Sequence, residues 1–254
     1  MTNITQTKLD VRIYEDRKSM GAAAAEKFAK EVTALLKTKD EINVVFAAAP
    51  SQNEFLAALD YENIDWNRIN AFHMDEYIGL AADAPQGFGN FLKHRLFDKF
   101  NFKSVNYLNG NADDIAAECD RYTALLNQHK VDMVCMGIGE NGHLAFNDPP
   151  VADFQDTHTV KVVELDEVCR QQQVNDGCFA TLDEVPKEAL TLTIPALLSA
   201  TYINCVVPGP TKAEAVKNTL QAEISKENPA TILRTHSNAV LFLDKDSSHL
   251  LINK

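Results

Sequence analysis

A chain of 254 residues with 45% hydrophobic content is long enough to bury a sizeable core as a single α/β domain. Its formal net charge of −12 argues against a nucleic-acid surface, where phosphate neutralisation needs clustered lysine and arginine. Five scattered cysteines without CxxC spacing, no apolar signal segment, and no run near the roughly 18 apolar residues of a membrane span lead us to expect a cytoplasmic protein with reduced thiols and no membrane role.

Apolar runs alternate with longer amphipathic segments, the pattern of βαβ units feeding a largely parallel sheet. Residues 11–14 read as a short strand and the alanine-rich residues 18–36 as a helix. Residues 42–48 form a nearly continuous apolar run, expected of a strand covered on both faces. Ser51 is expected to start the next helix, with Glu54 completing a capping box. A strand over 69–74 places Asp75 at its carboxyl end, and helices are expected over 87–97 and 112–128. The most apolar strand, 131–136, runs straight into Gly137-Ile138-Gly139-Glu140-Asn141-Gly142-His143. Further strands are expected over 159–163, 190–193, 202–207 and 239–243, with no repeat or linker to divide the chain.

In an open parallel sheet, ligands bind beyond the carboxyl ends of the strands, so polar residues there converge on one pocket. Met74-Asp75-Glu76-Tyr77, the glycine-rich segment through Asp148, and Pro208-Gly209-Pro210-Thr211-Lys212 each follow an apolar strand. A partly desolvated carboxylate at such an end is basic enough to take a proton from carbon, which suits Asp75, with Glu76 as its competitor. An imidazole, with an ordinary pKa of about 6.5, both accepts and donates a proton near neutrality, as opening a cyclic sugar requires, and His143 is placed for that. Gly137, Gly139 and Gly142 permit close backbone approach to a ligand, and Asp148 is spaced to orient His143. Lys212, in the first turn of a helix expected to be capped by Thr211 and Glu214, suits a phosphate. Taken singly, each has a bland alternative: a turn-capping acid, a structural histidine, a solvated lysine. The glycines and the Asn147-Asp148-Pro149-Pro150 turn favour the functional one for His143.

At Met74-Asp75-Glu76-Tyr77 and Gly137 through Pro149 the sequence resembles the glucosamine-6-phosphate deaminase (isomerase) family. Supporting matches are Tyr107-Leu108-Asn109-Gly110-Asn111-Ala112, Val185-Pro186-Lys187, Ala189-Leu190-Thr191 and Pro229-Ala230-Thr231-Ile232-Leu233 before His236. The resemblance implies an α/β fold, a modified doubly wound, Rossmann-like, mostly parallel sheet with helices on both faces. It implies conversion of glucosamine 6-phosphate to fructose 6-phosphate and ammonia, with no metal or redox cofactor. Asp75 would move a proton between C2 and C1, His143 would open the ring with Asn141 and Asp148 as its supporting relay, and Lys212 would contact the phosphate. The partner is then a small sugar phosphate or analogue, with no nucleic acid and no membrane; a homo-oligomer is left open.

The phosphate contacts depart from the family pattern. Its glycine- and threonine-rich loop is replaced by Ala47-Ala48-Ala49-Pro50-Ser51-Gln52, which makes Ser51 and Gln52 the candidate contacts there. The family's phosphate arginine aligns with Gly177, and Arg170 is the candidate replacement. Asp148 stands where the family generally has glutamate, and Asn141 is a neutral amide. Sugar proton transfer is therefore better supported than the phosphate. A 6-phosphogluconolactonase-like lactone hydrolase and a non-catalytic sugar-phosphate sensor are the alternatives.

Overall fold

The computed structural model describes residues 9–251 and the backbone of Thr2–Asn3. In chain order the strands are β1 (Thr2–Asn3), β2 (Asp10–Tyr14), β3 (Ile42–Phe46), β4 (Ile69–His73), β5 (Asp75–Tyr77), β6 (Ser104–Asn106), β7 (Met133–Met136), β8 (Val160–Glu164), β9 (Glu188–Leu192), β10 (Tyr202–Val207) and β11 (Ala239–Asp244). The α-helices are α1 (Arg17–Leu36), α2 (Asn53–Ala58), α3 (Phe88–Leu92), α4 (Ile115–Gln128), α5 (Glu167–Asn175), α6 (Ile194–Leu198) and α7 (Ala213–Gln221). Eight strands make one sheet, ordered β1-β2-β11-β10-β7-β3-β4-β6 and parallel except at β1. The order β5-β9-β8 forms a second, antiparallel sheet.

Alternation along the central strands divides the core between the two faces of the large sheet. Val44 and Phe46 of β3 pack with Phe28 of α1, Phe55 of α2 and Trp66. Val45 points the other way, toward Phe72, Val134 and Tyr122 of α4. Because both faces are covered, β3, β4 and β7 are buried at every position; β7 reads as an unbroken apolar run, while the buried Asn43, Asn70 and His73 interrupt β3 and β4. From β3 the chain moves outward through β4 to β6, then returns to β7 on the opposite flank of β3. The direction of winding thus reverses between β3 and β7, and the crevice beyond their carboxyl ends is where such sheets take ligands.

Two expected helix starts differ for one reason. Pro50 and Pro210 each open a single 3₁₀ turn, Pro50–Gln52 and Pro210–Lys212, so Ser51 and Thr211 lie inside a turn and cannot cap from an extended conformation. α2 and α7 begin after these turns with no side-chain cap, and neither Glu54 nor Glu214 completes a capping box. β4 ends at His73, and Asp75 opens β5 in the small sheet, opposite Thr191. The short β5 and β6 had no apolar run to betray them. All five cysteines are free, Cys135, Cys169 and Cys205 being buried. No helix among the described residues is long and apolar enough to cross a membrane.

Candidate active site

A cavity of about 280 Å³ opens at the winding reversal, walled by the segments that follow β3, β4, β7 and β10. Its volume is at the small end of the roughly 300–1,000 Å³ usual for small-molecule sites. The three strand ends singled out from the sequence do meet here. Asp75, His143, Gly139, Ser51, Gln52 and Lys212 all line it.

Asp75 is buried, and no hydrogen bond or ion pair engages its carboxyl group among the described residues. Burial, reinforced by the neighbouring Glu76 charge, pushes its pKa well above the ordinary carboxylate value. Its main chain is held by His73, whose Nδ1 lies 2.9 Å from the Asp75 carbonyl oxygen while its Nε2 accepts from the Leu108 amide at 2.9 Å. Accepting at Nε2 leaves the proton on Nδ1, where it donates to Asp75 O. Full burial of this neutral ring drives the His73 pKa down to about 4.

Glu76 turns away from the cavity. Its carboxylate accepts from the amides of Tyr77, Phe88 and Gly89 at 2.9, 3.1 and 2.8 Å, closing the amino end of α3. The two adjacent acids are thereby separated: one is engaged by backbone donors, the other faces the cavity unengaged.

His143 lies over Gly139, where a Cβ would come within 2.2–2.4 Å of three ring atoms. Gly139 therefore makes the room in which the imidazole sits. His143 Nδ1 approaches Asp148 Oδ1 to 2.9 Å, outside the geometry of a ring N–H hydrogen bond. Asn141 donates to the same Asp148 oxygen at 2.8 Å and accepts the His143 amide at 3.0 Å. It thus fixes the acid and the loop, not the ring. Burial raises the Asp148 pKa, but the facing His143, Asn141 and the Cys169 thiol outweigh it and hold the carboxyl below its ordinary value. The following loop is pinned to β9 by Asn147, which donates to Leu144 O and Leu192 O at 2.9 and 2.8 Å. Ala145 is held there at a φ of 50°, a strained backbone facing the cavity.

Lys212 is buried, and its ammonium makes no ion pair or hydrogen bond among the described residues. Burial lowers its pKa, only partly offset by Asp176 and Glu140. Gln52 donates to Val206 O at 3.2 Å and to Ser51 Oγ at 3.1 Å, tying the altered loop to β10.

Arg170 does not reach the site. Its guanidinium donates to Leu182 O at 2.5 Å and Val185 O at 3.0 Å, and these carbonyls hold it outside the cavity wall. The segment it belongs to contributes Gln172, Gln173 and Asp176 instead. The Gln172 side chain accepts the Glu140 backbone amide at 2.8 Å, and the side-chain amide of Gln173 has no partner among the described residues. Sequence reasoning missed these three and Arg17, which also lines the cavity. A signal existed for the glutamines: Cys169, Gln172 and Gln173 share the buried face of a helix that starts at the N-cap Asp166.

The family model described as glucosamine-6-phosphate isomerases/6-phosphogluconolactonase matches residues 15–242. A glucosamine-6-phosphate deaminase of Bacillus cytotoxicus is 35% identical over 242 residues, 95% of this chain and 89% of that protein. Glucosamine-6-phosphate deaminase 1 of Bacillus subtilis is 38% identical over 192 residues, 74% of this chain and 77% of that protein. Among solved structures, a monomeric glucosamine-6-phosphate deaminase superposes with a TM-score of 0.85 at 31% identity, covering 94% of this chain and 99% of the other. The 6-phosphogluconolactonase of Thermotoga maritima shares the fold, with a TM-score of 0.74 at 22% identity and coverage of 92% and 99%. The chain belongs to the glucosamine-6-phosphate isomerase/6-phosphogluconolactonase family.

Proposed function

We propose that the chain is an enzyme that isomerises and deaminates glucosamine 6-phosphate, giving fructose 6-phosphate and ammonia. The observation that carries this is the division of labour between Asp75 and Glu76: a buried, unengaged carboxyl faces the cavity while its neighbour is held by three amides. Raised basicity is what a carboxylate needs to remove hydrogen from carbon.

His143 takes the proton of the anomeric hydroxyl and delivers it to the ring oxygen, opening the sugar to its C1 aldehyde. Asp148 stabilises the imidazolium formed on the way. Asp75 then takes the C2 proton while the substrate's ammonium group gives one to O1, producing an enediol-type amine, and Asp75 returns its proton at C1 as the nitrogen lone pair forms the C=N bond. The resulting C2 imine adds water and expels ammonia, leaving the ketose. Lys212 holds the 6-phosphate. We place the reaction in the cytoplasm, in keeping with five unpaired cysteines.

Lactone opening requires no carbon acid, and the solved lactonase cited above supports the fold alone. The direct test supplies glucosamine 6-phosphate and 6-phosphogluconolactone side by side. Ammonia and a ketose phosphate from the first are expected; hydrolysis of the lactone with no ammonia from the amino sugar would overturn the proposal.

A further inference from the structure

The family arginine is missing from its usual segment, Arg170 is bound elsewhere, and the basic side chains left in the cavity wall are Lys212, His143 and Arg17. Arg17 is the first residue of α1, behind a fully formed capping box in which Asp16 accepts the Ser19 amide at 2.7 Å. A close helix crossing brings it to the site. At Gly21 a Cβ would lie 2.6 Å from the Glu54 carbonyl carbon, so only the bare backbone lets α2 settle on the first turns of α1. Glu54 then takes the Nε edge of the guanidinium, at 2.9 Å from Nε and 3.0 Å from Nη2, and Nη2 also donates to Pro50 O at 3.0 Å. Nη1 makes no hydrogen bond among the described residues. It lies beside Gly209, 3.8 Å from where a Cβ would stand, in the loop that also carries Lys212.

We propose that Arg17 is the second phosphate ligand of this chain, presenting its free Nη1 edge to the 6-phosphate beside Lys212, with Glu54 as the residue that positions it. This rests on the sugar-phosphate reading above. A phosphate monoester carries a charge of about −1.5 to −2 at pH 7, more than one ammonium balances. Burial weakens Lys212 as a cation, whereas a guanidinium stays charged in any such setting. Pairing with Glu54 offsets part of the Arg17 charge but fixes the plane of the group, so little freedom is lost when phosphate binds. The phosphate arginine of this chain thus comes from the start of α1 and not from the segment around Gly177, and it is held by Pro50 of the 47–52 loop and by Glu54 of α2.

The test is calorimetric titration of the full chain with inorganic phosphate, alongside steady-state kinetics on glucosamine 6-phosphate, for wild type, Arg17→Met and Arg17→Lys. Arg17→Met should raise the phosphate Kd and the KM by about 10- to 100-fold, with kcat within about threefold. Arg17→Lys can still pair with Glu54, so a phosphate affinity loss of at least about fivefold with an unchanged melting temperature would separate ligand contact from folding. If both variants bind phosphate within twofold of wild type, or if wild type binds none, the proposal falls. Failure of wild type to turn over glucosamine 6-phosphate would sink the substrate assignment, while the phosphate titrations would still decide the role of Arg17.

Discussion

Asp75 and Glu76 differ by one methylene and one position, yet their surroundings send them in opposite directions. Glu76 is held by three amides at the start of α3, and Asp75 is left unengaged in the cavity wall with its pKa raised by burial. A base of this kind works only when ionised, so kcat/KM should fall toward acid with a midpoint well above the ordinary carboxylate value of about 4. A pH–rate profile checks this; a limb at ordinary carboxylate pH would contradict it. Glu76→Gln should keep that limb but shift it toward acid, because it removes the neighbouring charge that adds to the effect of burial on Asp75. Gly139→Ala forces a methyl into the ring of His143 and should lower kcat by about 10²- to 10⁴-fold with a smaller effect on stability. Comparing its kcat with its melting temperature separates the two effects. Asp75, His143 and Lys212 were legible because each follows an apolar strand in one chain segment. Arg17 was not: its partner Glu54 lies on another helix, and only the crossing at Gly21 brings the two together.

At the scale of elements, the long strands announced themselves because burial on both faces leaves no polar alternation to confuse the pattern. The misplaced features are those set by a neighbour. Proline opened two helices one turn early, and after β4 ends at His73 the chain leaves the large sheet to pair as β5 with β9, the His73 ring holding the Asp75 carbonyl. The turn at Gly110 shows how tightly β5 is seated, since a Cβ there would lie 1.8 Å from the Tyr77 carbonyl oxygen. Gly110→Ala must push β5 aside and should cost about 3 kcal/mol, near the upper end for overpacking. Urea unfolding would report this as a lower midpoint. An unchanged midpoint would mean that the 107–112 turn gives way freely and does not brace Asp75.

For the whole molecule, the buried titratable groups make opposing contributions to acid stability. His73 has a folded-state pKa of about 4, below the ordinary histidine value, so the unfolded chain binds its proton more readily. Its contribution is fully present above about pH 6.5 and is lost as pH falls toward about 4, on the order of 3 kcal/mol in all. Asp75 works the other way: its raised pKa means that ionising it in the folded chain costs stability as pH rises. Asp75→Asn should therefore melt higher than wild type at neutral pH while losing activity. His73→Gln should flatten the acid slope between about pH 6.5 and 4 that wild type shows in thermal melts. The assignment of Asp75 as the base that moves hydrogen from C2 is tested most directly by following deuterium from C2-deuterated glucosamine 6-phosphate. Wild type should move the label from C2 to C1 of the ketose or to water as ammonia is released, and Asp75→Asn should leave it at C2 with ammonia release about 10²- to 10⁴-fold slower. Label leaving C2 at the wild-type rate in Asp75→Asn would contradict the account.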